Sequence, residues 1–312
     1  LTALNARSLS LGYYPLANIL YEEEQMVLKS ALKSAGKVVA GAAVYFVGFM
    51  LGSMVAGVMG MEVPPLPAGT DAQTLGMYQL VVSLIFALTL AVLSRWLAGG
   101  FLARWLTLAV FSWVAYGLNT YLEAAIFTAY GAASAYTLVM QALAAVLCGA
   151  VIAWAFPPVE GERSATAFIH SFLRSYSLGQ WAWRLLAAWV AFPLIYLIFG
   201  WLVQPFIIAF YRQQMAGLTL PGWGQILPTQ ALRSLLFLAT CLPVIALWRG
   251  SRRRLFILLG GALFVFVGGL YMLQAYWYPA TMRIAHSLEI LADSFVYAGV
   301  LVALLTTRES DH

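Results

Sequence analysis

The stretch KVVAGAAVYFVGFMLGSMVAGVMG, residues 37–60, carries a single charge, Lys37, at its start and then only apolar, aromatic, glycine and serine side chains. As a helix rising about 1.5 Å per residue it reaches roughly 36 Å, more than the about 30 Å of a bilayer's hydrocarbon core. A soluble helix of that length would carry a polar stripe, and none is present. The stretch reads as a membrane-spanning helix long enough to stay as an anchor, and with the polar first forty residues it does not read as a cleaved leader. Seven more runs of the same kind follow, near 78–97, 105–125, 135–156, 183–209, 230–248, 255–274 and 286–305. They are continuous rather than alternating, and backbone groups in lipid must be paired within the segment, so helices are expected and barrel strands are not. The expected fold class is an all-α integral membrane protein with eight transmembrane helices.

Composition excludes most other classes. Of the 312 residues, 62% are hydrophobic and 9% charged, against about 45–50% apolar usage in soluble domains. Mean hydropathy is +0.85. The net charge of +5 could suggest nucleic acid, but the basic residues fall in short loops between apolar runs, where they act as orientation signals. No nucleic-acid partner is expected; the bilayer is. Cys148 and Cys241 both lie inside apolar runs, so neither a disulfide framework nor a metal knuckle is available.

The basic residues set a direction. Arg7, Lys29, Lys33, Lys37, Arg95, Arg104, Arg163, Arg174, Arg184, Arg249, Arg252, Arg253, Arg254 and Arg308 fall on one side of the spans, leaving Arg212, Arg233 and Arg283 for the other. The positive-inside rule then places both termini in the cytoplasm of a bacterial or archaeal cell, with the chain in its inner membrane.

Residues 27–156 and 172–305 share landmarks in the same order. Leu28-Lys29-Ser30 meets Leu173-Arg174-Ser175; Gln79, Ser83 and Phe86 meet Gln230, Ser234 and Phe237; Trp96 meets Trp248; Gly117 with Leu122-Glu123-Ala124 meets Gly268 with Leu273-Gln274-Ala275; and Gly149 meets Gly299. A tandem duplication is expected, with four-helix repeats at 37–156 and 183–305, a cytoplasmic arm at 1–36, a linker at 157–182 and a tail at 306–312. An even number of spans per half makes the repeat parallel, about an axis along the membrane normal. An amphipathic interfacial helix is expected ahead of each half, at 21–36 and 165–177.

Chemistry concentrates in the last run. Arg283, His286, Glu289, Asp293 and Tyr297 recur at steps of three or four and fall on one helical face, about 20 Å long. A carboxylate facing lipid at mid-bilayer costs at least about 2.5 kcal/mol, so Glu289 and Asp293 should face other helices or water. Glu123 with Asn119 near the outer end of the third run, and Arg233 near the outer end of the sixth, are expected at the same depth. Together these eight residues are the candidate binding or coupling site, with mutual ion pairing as the competing structural role.

The H-x-x-E spacing of His286 and Glu289, with Asp293 one turn on, is compatible with metal ligands on one helix face but supplies too few for a catalytic site. No H-E-x-x-H, G-x-S-x-G or Walker sequence occurs, and His286 stands alone at membrane depth as a haem ligand, so no cofactor is expected. The leading functional expectation is a permease-like module for a small solute, ion or lipid. The main rival is a non-catalytic subunit of a larger membrane complex or homo-oligomer, and a membrane enzyme comes third.

Overall fold

The computed structural model describes residues 14–67, 69–129, 134–159 and 164–307. Its helices are α1 (Tyr14–Val58), α2 (Ala72–Ser94), α3 (Phe101–Phe127), α4 (Ser134–Ala155), the short α5 (Ala165–Arg174), α6 (Leu178–Arg212), α7 (Trp223–Ala246), α8 (Arg252–Gln274) and α9 (Ala280–Leu305). All but α5 are long and apolar enough to cross a membrane, and these eight coincide with the eight apolar runs. Among the described residues no strand forms; two single-pair antiparallel bridges join loops at the bundle ends. Arg7, Arg163 and Arg308, and the ends of the expected arm and tail, lie outside the described residues.

The helix starts follow local chemistry. Asp71 caps α2 by accepting from the Thr74 N–H at 2.7 Å, and this bond holds its carboxyl below the usual carboxylate range. Ser164 caps α5, Ser251 caps α8, and Ser177 with Gln180 closes a capping box on α6. One expectation needs correction. Residues 21–36 do not form a separate helix but are part of α1, which runs unbroken for 45 residues. No proline or cap interrupts 21–41, so nothing stops the helix from propagating into the first span, and its about 67 Å exceeds any bilayer. Ahead of the fifth span, by contrast, α5 is a separate helix, with His170 and Arg174 exposed and Phe172 edge-on to Trp181 at 4.9 Å.

α1 packs on α2 and α4, and α3 on α4; in the same order α6 packs on α7 and α9, and α8 on α9. The two groups meet through α2 against α8 and α3 against α7. In lipid no hydrophobic force drives helices together, so close approach at small residues does. A Cβ added at Gly48 would lie 2.8 Å from the Ala144 Cα, and one at Gly52 would lie 2.7 Å from the Met140 Cα, so α1 and α4 touch backbone to backbone. At the end bearing Arg249–Arg254, Leu97 bridges Trp248, the Ala98 N–H donates to the Leu247 carbonyl at 2.7 Å and the Arg249 N–H to the Trp96 carbonyl at 2.9 Å.

Backbone irregularities sit where side chains can absorb them. Pro193 removes the N–H that would pair with the Trp189 carbonyl, and the Ser234 hydroxyl donates to that carbonyl instead. α3 and α8 each contain a π-turn, Trp113–Leu118 and Val265–Gly269, and the two turns pack on each other. The Asn119 side chain, at the end of the first, donates to the Val267 carbonyl in the second at 2.9 Å. Wider turns of this kind loosen the carbonyl ladder and recur at functional sites.

Candidate functional site

A cavity of about 450 Å³ opens inside the bundle at the end opposite the Arg249–Arg254 loop, and all eight apolar helices contribute to its wall. Its volume falls within the range of small-molecule pockets, about 300–1,000 Å³. The loop Val63–Pro67 covers one side, and Trp277 and Tyr278 of the α8–α9 connection line it as well. Most of the wall is apolar or aromatic, so its few polar groups stand out.

Four residues of the α9 stripe reach this cavity: His286, Glu289, Asp293 and Tyr297. The spacing of three and four residues does this by itself, since it holds one face of α9 against α6 and α8. His286 Nδ1 lies 2.8 Å from Glu289 Oε2. Glu289 Oε1 faces α6 at Gly200, where an added Cβ would come within 3.4 Å of it. Asp293 is only 6% exposed, and neither its Oδ1 nor the Tyr297 hydroxyl has a hydrogen-bond partner among the described residues. Arg283, the fifth member, is not part of the cavity wall. Its guanidinium turns back to the Met272 and Leu273 carbonyls at 3.0 and 3.3 Å, closing the C-terminal end of α8, where a cation meets the negative end of the helix dipole.

Glu123, Asn119 and Arg233 come together as a polar knot on the same wall. Arg233 is 2% exposed; its Nη2 lies 2.7 Å from Glu123 Oε1, its Nε donates to Asn119 Oδ1 at 2.7 Å and its Nη1 to Gln230 Oε1 at 2.7 Å. The guanidinium also sits over the rings of Phe192, Tyr196 and Phe237, 5.4–5.7 Å from their centroids. Each nitrogen of Arg233 is therefore engaged, while Glu123, 37% exposed, is part of the cavity wall.

A second polar cluster, most of it in the chamber wall, was not among the expected site residues. The Gln274 amide donates to Gln79 Oε1 at 2.6 Å, the Tyr116 hydroxyl to Gln274 Oε1 at 3.0 Å, and the Tyr45 hydroxyl to Gln141 Oε1 at 2.5 Å. Gln79 and Gln274 were visible in the sequence only as landmarks of the repeat; a neutral amide inside an apolar run gives no further signal. Among the described residues no three His, Cys, Asp or Glu side chains converge to hold a metal ion, so His286, Glu289 and Asp293 do not form a ligand set.

The fold and cavity define a polytopic helical membrane protein with an internal, partly charged chamber. Comparison with known protein families, with curated proteins and with solved structures finds no match.

Proposed function

We propose that this chain is a permease-like membrane module that admits a small solute to the cavity between its two halves, with Asp293 and Glu289 as coupling carboxylates. The supporting observation is the chamber itself: eight helices converge on it, Asp293 is part of its wall, and the buried Asp293 Oδ1 has no hydrogen-bond partner among the described residues. Scaffold subunits bury carboxylates only when these are paired, because an unpaired one is expensive in a low-dielectric interior. A proton or a cationic ligand removes that cost. The chamber wall that holds Asp293 also carries Glu123 of α3, Tyr196 and Tyr211 of α6, Arg233 of α7, Tyr271 of α8, and His286, Glu289 and Tyr297 of α9. Three carboxylates thus share one committed arginine and one histidine, which suits a group that exchanges a proton for a solute.

The test is proton movement. In vesicles containing the purified protein and a trapped pH indicator, with a pH gradient imposed, at least one member of a panel of small anionic, neutral and cationic solutes should discharge the gradient. Asp293→Asn should reduce that discharge at least tenfold while remaining inserted and monodisperse. If no solute moves protons, the chain is better read as a structural subunit of a larger complex.

The same reading takes residues 37–156 and 183–305 as diverged copies of one four-helix unit. Five features support it: the matching packing order of the halves, the paired π-turns, the reciprocal α2–α8 and α3–α7 contacts, the contact of Trp96 with its counterpart Trp248, and an equivalent hydrogen bond in each half. Lys37 donates to the Ala155 carbonyl, closing α1 on α4, as Arg184 donates to the Leu304 carbonyl, closing α6 on α9. At the spacing that lays Gly149 on Gly299, Glu289 and Asp293 fall on Val139 and Leu143, so at these two positions only the second copy carries carboxylates.

The orientation that goes with this function puts the Arg249–Arg254 end in the cytoplasm and the chamber in the outer half of the membrane. Cys148 and Cys241 are buried and give little background. A cysteine at Glu62 or Gln213 should react with a membrane-impermeant thiol reagent in intact cells, and one at Arg253 only after permeabilisation; the reverse pattern would invert the orientation.

A further inference from the structure

We infer that the chamber binds a hydrophobic monovalent organic cation, held between the carboxylates of α9 and the aromatic wall supplied by α6, α7 and α8. The inference rests on the permease reading for its physiological sense but concerns the ligand's chemistry alone. Three observations carry it.

The first is the charge balance. Glu123, Glu289 and Asp293 face one fixed cation, Arg233, whose nitrogens are already engaged by Glu123, Asn119 and Gln230. Glu289 is contacted by His286, which leaves Asp293 with its buried oxygen unpartnered among the described residues. An anionic solute would meet uncompensated carboxylates at close range; a cation would complete the pairing.

The second is the wall. Phe192, Tyr196, Tyr211, Phe237, Tyr271 and Trp277 line the chamber. Aromatic faces attract cations that have shed their water, and the effect grows where solvent is excluded. Arg233 already demonstrates this geometry in the chamber, lying over three of these rings. A small, strongly hydrated ion such as sodium would gain little from such a surface and would need converging oxygens, whereas a bulky cation with delocalised or shielded charge gains from both rings and carboxylates.

The third is size and place. About 450 Å³ accommodates a compact multi-ring or quaternary cation, and the chamber lies at membrane depth, where such ions concentrate by partitioning. A fully polar cation would leave most of the apolar lining unpaired with like surface.

The test uses an isosteric pair of opposite charge. The purified full chain in lipid nanodiscs is titrated with tetraphenylphosphonium and, separately, tetraphenylborate, with empty nanodiscs correcting for partition and Trp277 fluorescence, isolated by subtracting Trp277→Phe, as the local readout. Tetraphenylphosphonium should bind saturably and at least tenfold more tightly than tetraphenylborate. Glu289→Gln combined with Asp293→Asn should weaken it at least tenfold, and Asp293→Glu should restore part of the loss. Equal binding of the two ions, or an unchanged affinity in the double variant, overturns the inference. Should the double variant fail to insert, the comparison of the two ions on the unmodified chain decides alone. Saturable, carboxylate-dependent cation binding without solute-driven proton movement would retain this site and reject the permease; proton movement with anionic or neutral solutes only, and no cation binding, would do the opposite.

Discussion

Replacing Arg233 by Met should destabilise the protein by about 2–4 kcal/mol in reversible unfolding in detergent or bicelles, among the largest effects of any single side-chain change in this chain. The guanidinium satisfies Glu123, Asn119 and Gln230 at once, at 2% exposure, and it links α7 to α3. Its loss leaves buried amide groups without partners, each a penalty of about 1–3 kcal/mol. Glu123 adds less than a fully buried carboxylate would, because it is 37% exposed toward the chamber and water reaches it there. For that reason the double variant Arg233→Met with Glu123→Gln should recover only a minor part of the stability, about 1 kcal/mol or less. A near-complete recovery would mean that the stranded carboxylate, rather than the amides, carries the penalty. An Arg233→Met protein as stable as the parent would show that the knot is not structural and would transfer Arg233 to the ligand's side of the ledger.

The second large effect is expected at the α1–α4 contact. Gly52→Leu should cost about 3 kcal/mol or more and sharply reduce the yield of folded protein, whereas Gly57→Leu should be tolerated. At Gly52 a Cβ would stand 2.7 Å from the Met140 Cα and 2.9 Å from its carbonyl oxygen, atoms that cannot rotate away. The helices would have to separate, and the Ser53–Tyr136 hydroxyl pair one residue on would separate with them. At Gly57 nothing lies within 4 Å. Equal behaviour of the two variants in thermal unfolding and in the yield of monodisperse protein would refute backbone-to-backbone packing as the reason for the glycines.

How much of the candidate site was legible depended on charge and period. Glu289 and Asp293 could be placed facing the interior from sequence, because a carboxylate in lipid is too costly and the step of four puts both on one face of α9. Arg283 obeys the same period yet leaves the group. It sits near the helix start, where its long side chain reaches the carbonyl end of α8, and that alternative depends on where α8 stops, which the stripe does not encode. Gln79, Gln274 and Tyr116 went unassigned because neutral polar groups in apolar runs carry no sign of which neighbour they meet. The separate amphipathic helix over 21–36 was read from its polar and apolar faces, but facial pattern does not distinguish a helix lying along a surface from one that continues into a span. Only the lack of a stop signal does.

The amino-acid sequence by itself determined the class of this protein: eight spans, all helical, because the length and continuity of apolar runs are local properties that the bilayer reads one segment at a time. It also determined which face of α9 is polar, since that follows from helical period alone. The tertiary structure decided the rest. It brought Glu123 and Asn119 of α3 to Arg233 of α7, set the π-turns of α3 and α8 against each other, engaged Arg233, left the Asp293 Oδ1 without a hydrogen-bond partner among the described residues, and enclosed the chamber between the two groups of helices. These are contacts between segments far apart in the chain, chosen by which small residues allow close approach and which buried polar groups find partners, and no single segment contains that information.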